Sequence, residues 1–411
     1  MPQVLRPADA DELRDAVASA AAAKLPLAVA GSASKANLGR PVEADHVLDL
    51  SRLSGIIDYE PEELVITAAA GTPMPVVEAA LKAGGQEMCF EPADYGPLLG
   101  GAAGRGTIGG MFACNISGPR RVKSGAARDY LLGAKAVNGR GEFFKCGGRV
   151  MKNVTGYDVC KLLAGSYGTL AVMTEVSFKV LPLPSHIHTV VVFGMNEADA
   201  VAALGDALKS PYEVYGAVHV PADVAVRSAV DVVRAAGKSV TAVRVEGPDP
   251  SIRYCCGNLF EMYRGKGALA ELDDAQSEVF WREIRDVTAF VAPRDRAVWR
   301  LSVAPAKGAE VWGKIRNACD AQAILDWGGG LIWLAAATDD DESVRSQERV
   351  IRAAVADAGG HALLMRASES VRARVSVFQP QAGGVAALTR RLKDSFDPNR
   401  ILNPGRMYEG V

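Results

Sequence analysis

The stretch Gly100–Arg121, GGAAGRGTIGGMFACNISGPRR, contains seven glycines and ends in two adjacent arginines. Glycine loses more conformational freedom on folding than any other residue, so a run of it weakens a fold unless bare backbone is needed there. The usual need is a phosphate-bearing ligand held by main-chain N–H groups. A formal G-x-G-x-x-G occurs at Gly104, Gly106 and Gly109. It lacks the context of a Rossmann turn, which requires a hydrophobic strand before it and a helix opening on it. PADYGPLLGGAA precedes it and MFACNIS, a poor helix start, follows. The GKS at Gly237, Lys238 and Ser239 is no Walker loop either, because Val232 stands where the first glycine belongs.

Two other small-residue segments complete a pattern. AGSASK, Ala30 to Lys35, follows the short apolar run LAVA, and GSYGTLAV, Gly165 to Val172, leads into an apolar one. Each loop alone reads equally well as a tight turn. Brought together, the three can wrap an extended ligand such as a dinucleotide.

Composition removes other classes. The chain has 411 residues, 49% of them hydrophobic, enough for a large core and two or more domains. A net charge of −2 and 6% aromatics offer neither the basic field nor the stacking platforms of a nucleic-acid binder. The seven cysteines show no CxxC spacing, which argues against a disulfide framework or an iron–sulfur ligand set. Adjacent Cys255 and Cys256 read as buried thiols. The start, MPQVLRPADADELRDA, is acidic and carries proline, unlike a secretory signal, and ASAAAAKLPLAVAG is broken by Lys24 and Pro26. The expectation is a cytoplasmic chain that reaches an inner membrane only through partners.

Along the chain, Asp9 can cap a helix with Leu13, Ala16, Val17 and Ala20 on one face, stopped by Pro26. LAVAG, HVLDL and LVITAAAG read as strands, and TPMPVVEAALKAG as a helix. YLLGAKAVNGRGEFFKC reads as a hairpin, with Asn138-Gly139 as its type I′ turn. DVCKLL is a short helix before a long strand. Pro182 and Pro184 mark a boundary. Beyond it, strand-like runs (HTVVVFG, KSVTAVRVEG, WRLSVAPA, GLIWLAAA, HALLMRA) alternate with helical segments around Ala200, Trp281, Trp312 and Arg349. That alternation predicts a second α+β domain built on an antiparallel sheet.

At AGSASK, TIGG followed by NISG, RDYLLGAKAV and LAGSYGTLAVMTEVSFKVLP, the sequence resembles the FAD-binding domain of the vanillyl-alcohol-oxidase/p-cresol-methylhydroxylase superfamily. The last segment departs from G-S-x-G-T-L-G at Ala171. The ending FDPNRILNPGRMY resembles the C-terminal signature of its 2-hydroxy-acid branch. GGMFACNISGPRR, VMKNVTGYDVCKLLAGSYGTL and DWGGGLIWLAA are similar to the small FAD-binding subunits of bacterial glycolate oxidase. The resemblance implies an α+β fold: a PCMH-type FAD-binding domain of two subdomains over 1–184, an α+β cap over 185–385, and a segment 386–411 returning to the FAD domain.

For chemistry, the resemblance implies FAD with its pyrophosphate on Ala30, Gly31, Ser32, Ala33, Ser34 and Lys35 and on Gly106, Thr107, Gly109 and Gly110. Asn115, Ser117 and Gly118 would line the ribityl and ring region, and Gly165, Gly168, Thr169, Leu170 and Val172 the adenine or flavin edge. Arg120 and Arg121 could offset phosphate charge or form a solvated pair. The first loop has no histidine, so the expected FAD is noncovalent. Oxidising a 2-hydroxy acid needs a base, a hydride acceptor and a cation for the carboxylate. Arg300 in WRLS and Arg366 in LLMRAS are the candidate clamps. His361 reads as structural. His186 and His188, in SHIHT, lie in the wrong part of the chain for the family's metal motif, so no metal is expected. The implied function is the FAD-binding subunit of a complex oxidising glycolate to glyoxylate, beside a larger FAD-bearing catalytic subunit and an iron–sulfur subunit. The alternatives are a self-sufficient D-lactate or 2-hydroxy-acid dehydrogenase and a flavin-bearing scaffold.

Overall fold

Asp9 accepts a hydrogen bond from the N–H of Glu12 at 2.8 Å and caps the helix Ala10–Ala23, whose Leu13, Val17 and Ala20 are buried. Lys24 closes the helix in the left-handed conformation, two residues before Pro26. Leu27–Ala30 then lies parallel to His46–Asp49, which also pairs with Gln3–Leu5. Leu13, Val17, Leu27 and Leu48 share one core with Val137, Val172, Ile401 and Leu402. The first helix, this small sheet and the C-terminal tail are therefore one body.

A computed structural model describes residues 3–148, 157–338 and 340–411. The 150–156 part of VMKNVTGYDVC lies outside the described residues. The chain divides into two units, the first made of Met1–Ile116, Ala126–Leu183 and Pro380–Val411, the second of Ser117–Gly125 and Pro184–Gln379. Two boundaries differ from the sequence reading. The return to the first unit starts at Pro380, just before the helix Gly383–Phe396, rather than at 386. The GPRR end of the glycine-rich run belongs to the second unit.

A second sheet of the first unit is antiparallel and five-stranded, ordered Ile56–Glu60, Val65–Ala69, Ala171–Lys179, Leu131–Asn138, Phe143–Gly147. The hairpin joining its last two strands forms, but not through a two-residue turn. Val137 pairs with Phe143, and Asn138 Oδ1 accepts from the N–H groups of Arg140 and Glu142. The asparagine organises a longer loop through its own side chain.

The second unit is built on one eight-stranded antiparallel sheet. Its strands run Ala268–Leu272, His186–Phe193, Val240–Gly247, Val214–Val220, Ala321–Asp326, Leu331–Ala337, Arg296–Ser302, His361–Arg366. Alternation along the strands sorts the two faces. Val190, Val192, Val243 and Val245 meet Leu204 and Ala207 of the helix Glu197–Lys209 and Leu259 of the helix Asp249–Met262. Thr189 is turned toward Trp281, whose indole N–H donates to its hydroxyl at 2.9 Å. The helix Asp274–Asp286 carries that tryptophan.

Candidate cofactor cleft

The strand Leu27–Ala30 ends at a turn that nothing on the protein satisfies. The N–H groups of Gly31, Ser32, Ala33, Ser34 and Lys35 have no hydrogen-bond partner among the described residues. Ala33 is left-handed at φ 57°, a bend that lets successive N–H groups converge. These residues are half-buried or exposed, so water or a ligand can take up the five N–H groups, and their convergence at one bend suits an anionic acceptor.

The loop lines a cleft of about 260 Å³. Its opposite wall is Thr107, Gly109 and Gly110, and its sides include Tyr167, Gly168, Val172, Asn403 and Arg406. The glycines are there because the walls touch. A Cβ on Gly31 would lie 2.3 Å from Thr107 Oγ1, and one on Gly109 would lie 2.6 Å from Ala70 Cβ. Thr107 caps the short helix Ile108–Ala113.

Among the described residues, two cations line the cleft. The Lys35 amine lies against Gly106 and Gly110, and among the described residues it has no carboxylate within ion-pairing distance. Its crowded surroundings, and then the positive Arg406, hold its pKa below the usual lysine value. Arg406 donates from Nη2 to the Lys35 carbonyl at 2.8 Å, while its buried Nε–H has no partner among the described residues. Unpaired amides, an unpaired guanidinium N–H and an uncompensated ammonium together suit a diphosphate.

Most residues singled out from the sequence converge here: Ala30 to Lys35, Thr107, Gly109, Gly110, Gly168 and Val172 line the cleft, and Gly106 is beside Lys35. Asn115 and Gly165 adjoin one another behind it, a Cβ on Gly165 coming 3.5 Å from that of Asn115. Asn115 Oδ1 accepts from the Arg128 N–H. Thr169 and Leu170 are buried, and the Thr169 carbonyl accepts from Lys393. Ser117 and Gly118 belong to the second unit, where the Gly118 carbonyl accepts from the Trp327 indole at 3.0 Å. Arg120 is buried there too and pairs with Glu246 at 2.6 Å, a carboxylate it shares with Arg244.

The tail supplies what local sequence reasoning missed. Asn403 accepts from the Val29 N–H and donates to the Tyr167 carbonyl, both at 2.8 Å, tying two cleft loops together. A Cβ on Gly168 would lie 2.8 Å from its Nδ2.

The two arginine clamp candidates separate. The Arg366 guanidinium is buried and donates to the carbonyls of Phe290, Val291, Pro293 and Arg296. Burial pushes its pKa down to about 10. It holds the 290–296 segment. Arg300 instead lies over the ring of Trp327.

A family model described as an FAD binding domain matches residues 1–147. Over 397 residues the chain is 32% identical to glycolate oxidase subunit GlcE of Escherichia coli, covering 96% of each chain. The chain belongs to the GlcE family of FAD-binding proteins. It is also 25% identical to glycolate oxidase subunit GlcD of Bacillus subtilis, covering 98% of this chain and 88% of that one. Its fold matches p-cresol methylhydroxylase with a TM-score of 0.71 at 13% identity, over 98% of this chain and 88% of that one. The α+β, PCMH-type architecture is thereby confirmed, and the GlcE-family chain is an FAD-dependent oxidoreductase. The cleft residues fit that cofactor through their unpaired donors. Among the described residues, no helix is long and apolar enough to cross a membrane.

Proposed function

We propose that this chain is the FAD-binding subunit of a glycolate oxidase (glycolate dehydrogenase) complex that converts glycolate to glyoxylate. The observation that carries the reading is the row of five unpaired N–H groups, Gly31 to Lys35, facing Thr107, Gly109 and Gly110. Those amides, with Lys35 and Arg406, hold the pyrophosphate. Gly168 and Val172 lie along the adenine or flavin edge. FAD, when bound, supplies the acceptor for the two electrons that a 2-hydroxy acid loses with two protons on becoming a 2-oxo acid.

The FAD is held without a covalent bond: the first loop, Ala30 to Lys35, has no histidine to attach it. The partners are a larger FAD-bearing catalytic subunit and an iron–sulfur subunit, through which the complex reaches a membrane. GlcE and GlcD names among the relatives support such an assembly. The iron–sulfur clusters belong to a partner, because this chain's cysteines lack ligand spacing. His361 is held below the ordinary imidazole pKa by its packing and by Arg300 and Arg121, so it is neutral at pH 7.

The test is anaerobic addition of glycolate to the complex purified with its partners, followed by absorbance of this subunit's flavin. Bleaching within turnover is expected. Rapid glycolate or D-lactate oxidation by the isolated chain with a dye acceptor would overturn the subunit role in favour of a self-sufficient dehydrogenase. A flavin that never bleaches would make the chain a scaffold.

A further inference from the structure

Two motifs that the FAD reading does not use meet in the second unit: His188 of SHIHT and Cys256 of the adjacent-cysteine pair. One ring nitrogen of His188, the Sγ of Cys256 and a carboxylate oxygen of Glu271 all lie within 4.8 Å of one another. Among the described residues no other trio of His, Cys, Asp and Glu side chains converges this closely. We infer that His188, Cys256 and Glu271 bind a zinc ion, with a water molecule as the fourth ligand. All three residues belong to the second unit, and the inference goes beyond the proposed function and does not rest on it.

Strand alternation brings the three side chains to one face of the sheet. His188 shares its face with Val190 and Val192 along the strand His186–Phe193. Glu271, on the edge strand Ala268–Leu272, pairs in register with Val190 and so points to the same face. Cys256 comes down onto that face from the helix Asp249–Met262, buried in the core that holds Val190 and Val192. Imidazole, thiolate and carboxylate are the donors zinc takes. Bonds of about 2.0–2.3 Å set the donor atoms of a tetrahedral zinc roughly 3.3–3.7 Å apart. His188 Nδ1 and Glu271 Oε1, 2.6 Å apart, need only part slightly to admit the ion. Burial, and then the charge of Glu271, push the free Cys256 thiol up to about 12. Zinc replaces that proton, which passes to solvent, as it does whenever a cysteine becomes a ligand.

The surroundings orient the histidine and leave a way in. With Nδ1 of His188 on the ion, its Nε2 lies 4.0 Å from Asp274 Oδ1. Asp274 is itself fixed, accepting from the Ile187 N–H at 2.6 Å and bonded to His186 Nδ1 at 2.9 Å. A carboxylate behind the second nitrogen of a ligating imidazole sets the ring and strengthens its donor nitrogen. The two histidines of SHIHT thus divide the work: His186 places Asp274, and His188 binds. The side chains of His188 and Glu271 are 24% and 39% exposed, so the ion and its water reach the site from solvent. The bound ion joins the edge strand, its neighbour and the helix packed on both.

The test uses the full FAD-loaded chain, stripped of metal with a chelator and kept reduced. It is titrated with zinc chloride by calorimetry and with cobalt(II) by absorbance. The expected result is one zinc per chain and, with cobalt, the charge-transfer band of a thiolate ligand. Cys256→Ser and His188→Gln should each weaken zinc binding by at least about 100-fold, since loss of an outer partner alone costs about 10- to 100-fold. Asp274→Asn, which alters such a partner, should weaken it about 10-fold. Cys255→Ser, the neighbouring buried thiol, should leave the affinity unchanged. If Cys256→Ser fails to fold, His188→Gln and Glu271→Gln, whose side chains reach solvent, carry the same test. A chain that takes up no zinc, unchanged affinity in folded Cys256→Ser or His188→Gln, or a cobalt complex without the thiolate band overturns the inference. None of these readouts depends on glycolate reducing the flavin, so this site and the proposed function can fail separately.

Discussion

Lys393 is a fully buried cation whose removal has a calculable effect. Its ammonium donates to the carbonyls of Thr169 at 2.7 Å and Leu402 at 3.0 Å and to Asp397 Oδ2 at 2.9 Å. Asp397, also fully buried, accepts in turn from the N–H groups of Ile401 and Leu402. The pair pins the tail, and hence Asn403 and Arg406, to the cleft. Lys393→Met keeps most of the side-chain length and deletes the charge. It leaves a buried carboxylate without its cation and two carbonyls without a donor. Breaking one side of a buried pair costs about 3–5 kcal/mol. At about 2–4 °C per kcal/mol for a unit of this size, the melting temperature should fall by ~6–20 °C. Calorimetry of the FAD-loaded protein measures this, with flavin release followed in the same scan. Lys393→Met/Asp397→Asn removes the stranded charge as well and should recover at least about 1 kcal/mol. A shift of less than about 2 °C in the single variant, or a double variant no more stable than the single, would refute the reasoning.

The cleft and the second unit give further expectations. Lys35→Met should weaken FAD binding about 10- to 100-fold with little change in apoprotein melting, since it removes a charged contact to phosphate; fluorescence titration of apoprotein with FAD measures it. Gly31→Val places carbon within the space of Thr107 Oγ1, and the purified variant should carry well under half the wild-type flavin, read from its visible absorbance. Buried His219, hydrogen-bonded to Thr241 Oγ1 at 2.9 Å, has its pKa pushed from 6.5 down to about 4 by burial. The unfolded chain takes up that proton first, so stability is intact above pH 6.5 and falls as the pH drops toward 4. The loss is about 3 kcal/mol at 1.36 kcal/mol per pKa unit. His219→Gln should flatten the pH 4–6.5 slope of the denaturation midpoint.

What the sequence disclosed, and what it hid, follows from how far each signal reaches. The first helix was legible because its cap and its buried face lie within one stretch, Asp9 to Ala20. The cleft loops were legible because contact between walls forces small residues at each wall separately: Gly31 against Thr107, Gly109 against Ala70. Asn403 and Arg406 carry no such local mark. Their partners, Val29 and Lys35, lie at the other end of the chain. The Asn138-Gly139 pair predicted a tight turn, but Asn138 bonds two later amides and a Cβ on Gly139 would lie 2.3 Å from Asp397 Oδ1. That glycine answers to the tail, not to the hairpin. In the second unit, runs such as LIWLAAA revealed strands buried on both faces but not their order. Arg366, an arginine on an expected strand, reads as a candidate clamp; the carbonyls it bonds come from residues 290–296 and leave no trace in its own segment. The helix Asp249–Met262 has Pro250 near its start, a local signal of a helix N-terminus.

The central claim is that the amides of Gly31 to Lys35, with Lys35 and Arg406, grip a noncovalent FAD. Acid precipitation of freshly purified protein, with absorbance at flavin wavelengths read in the pellet and the supernatant, tests it most directly. The account predicts about one FAD per chain, all of it in the supernatant. Yellow pigment retained by the pellet, or a colourless protein that takes up no added FAD, would contradict it.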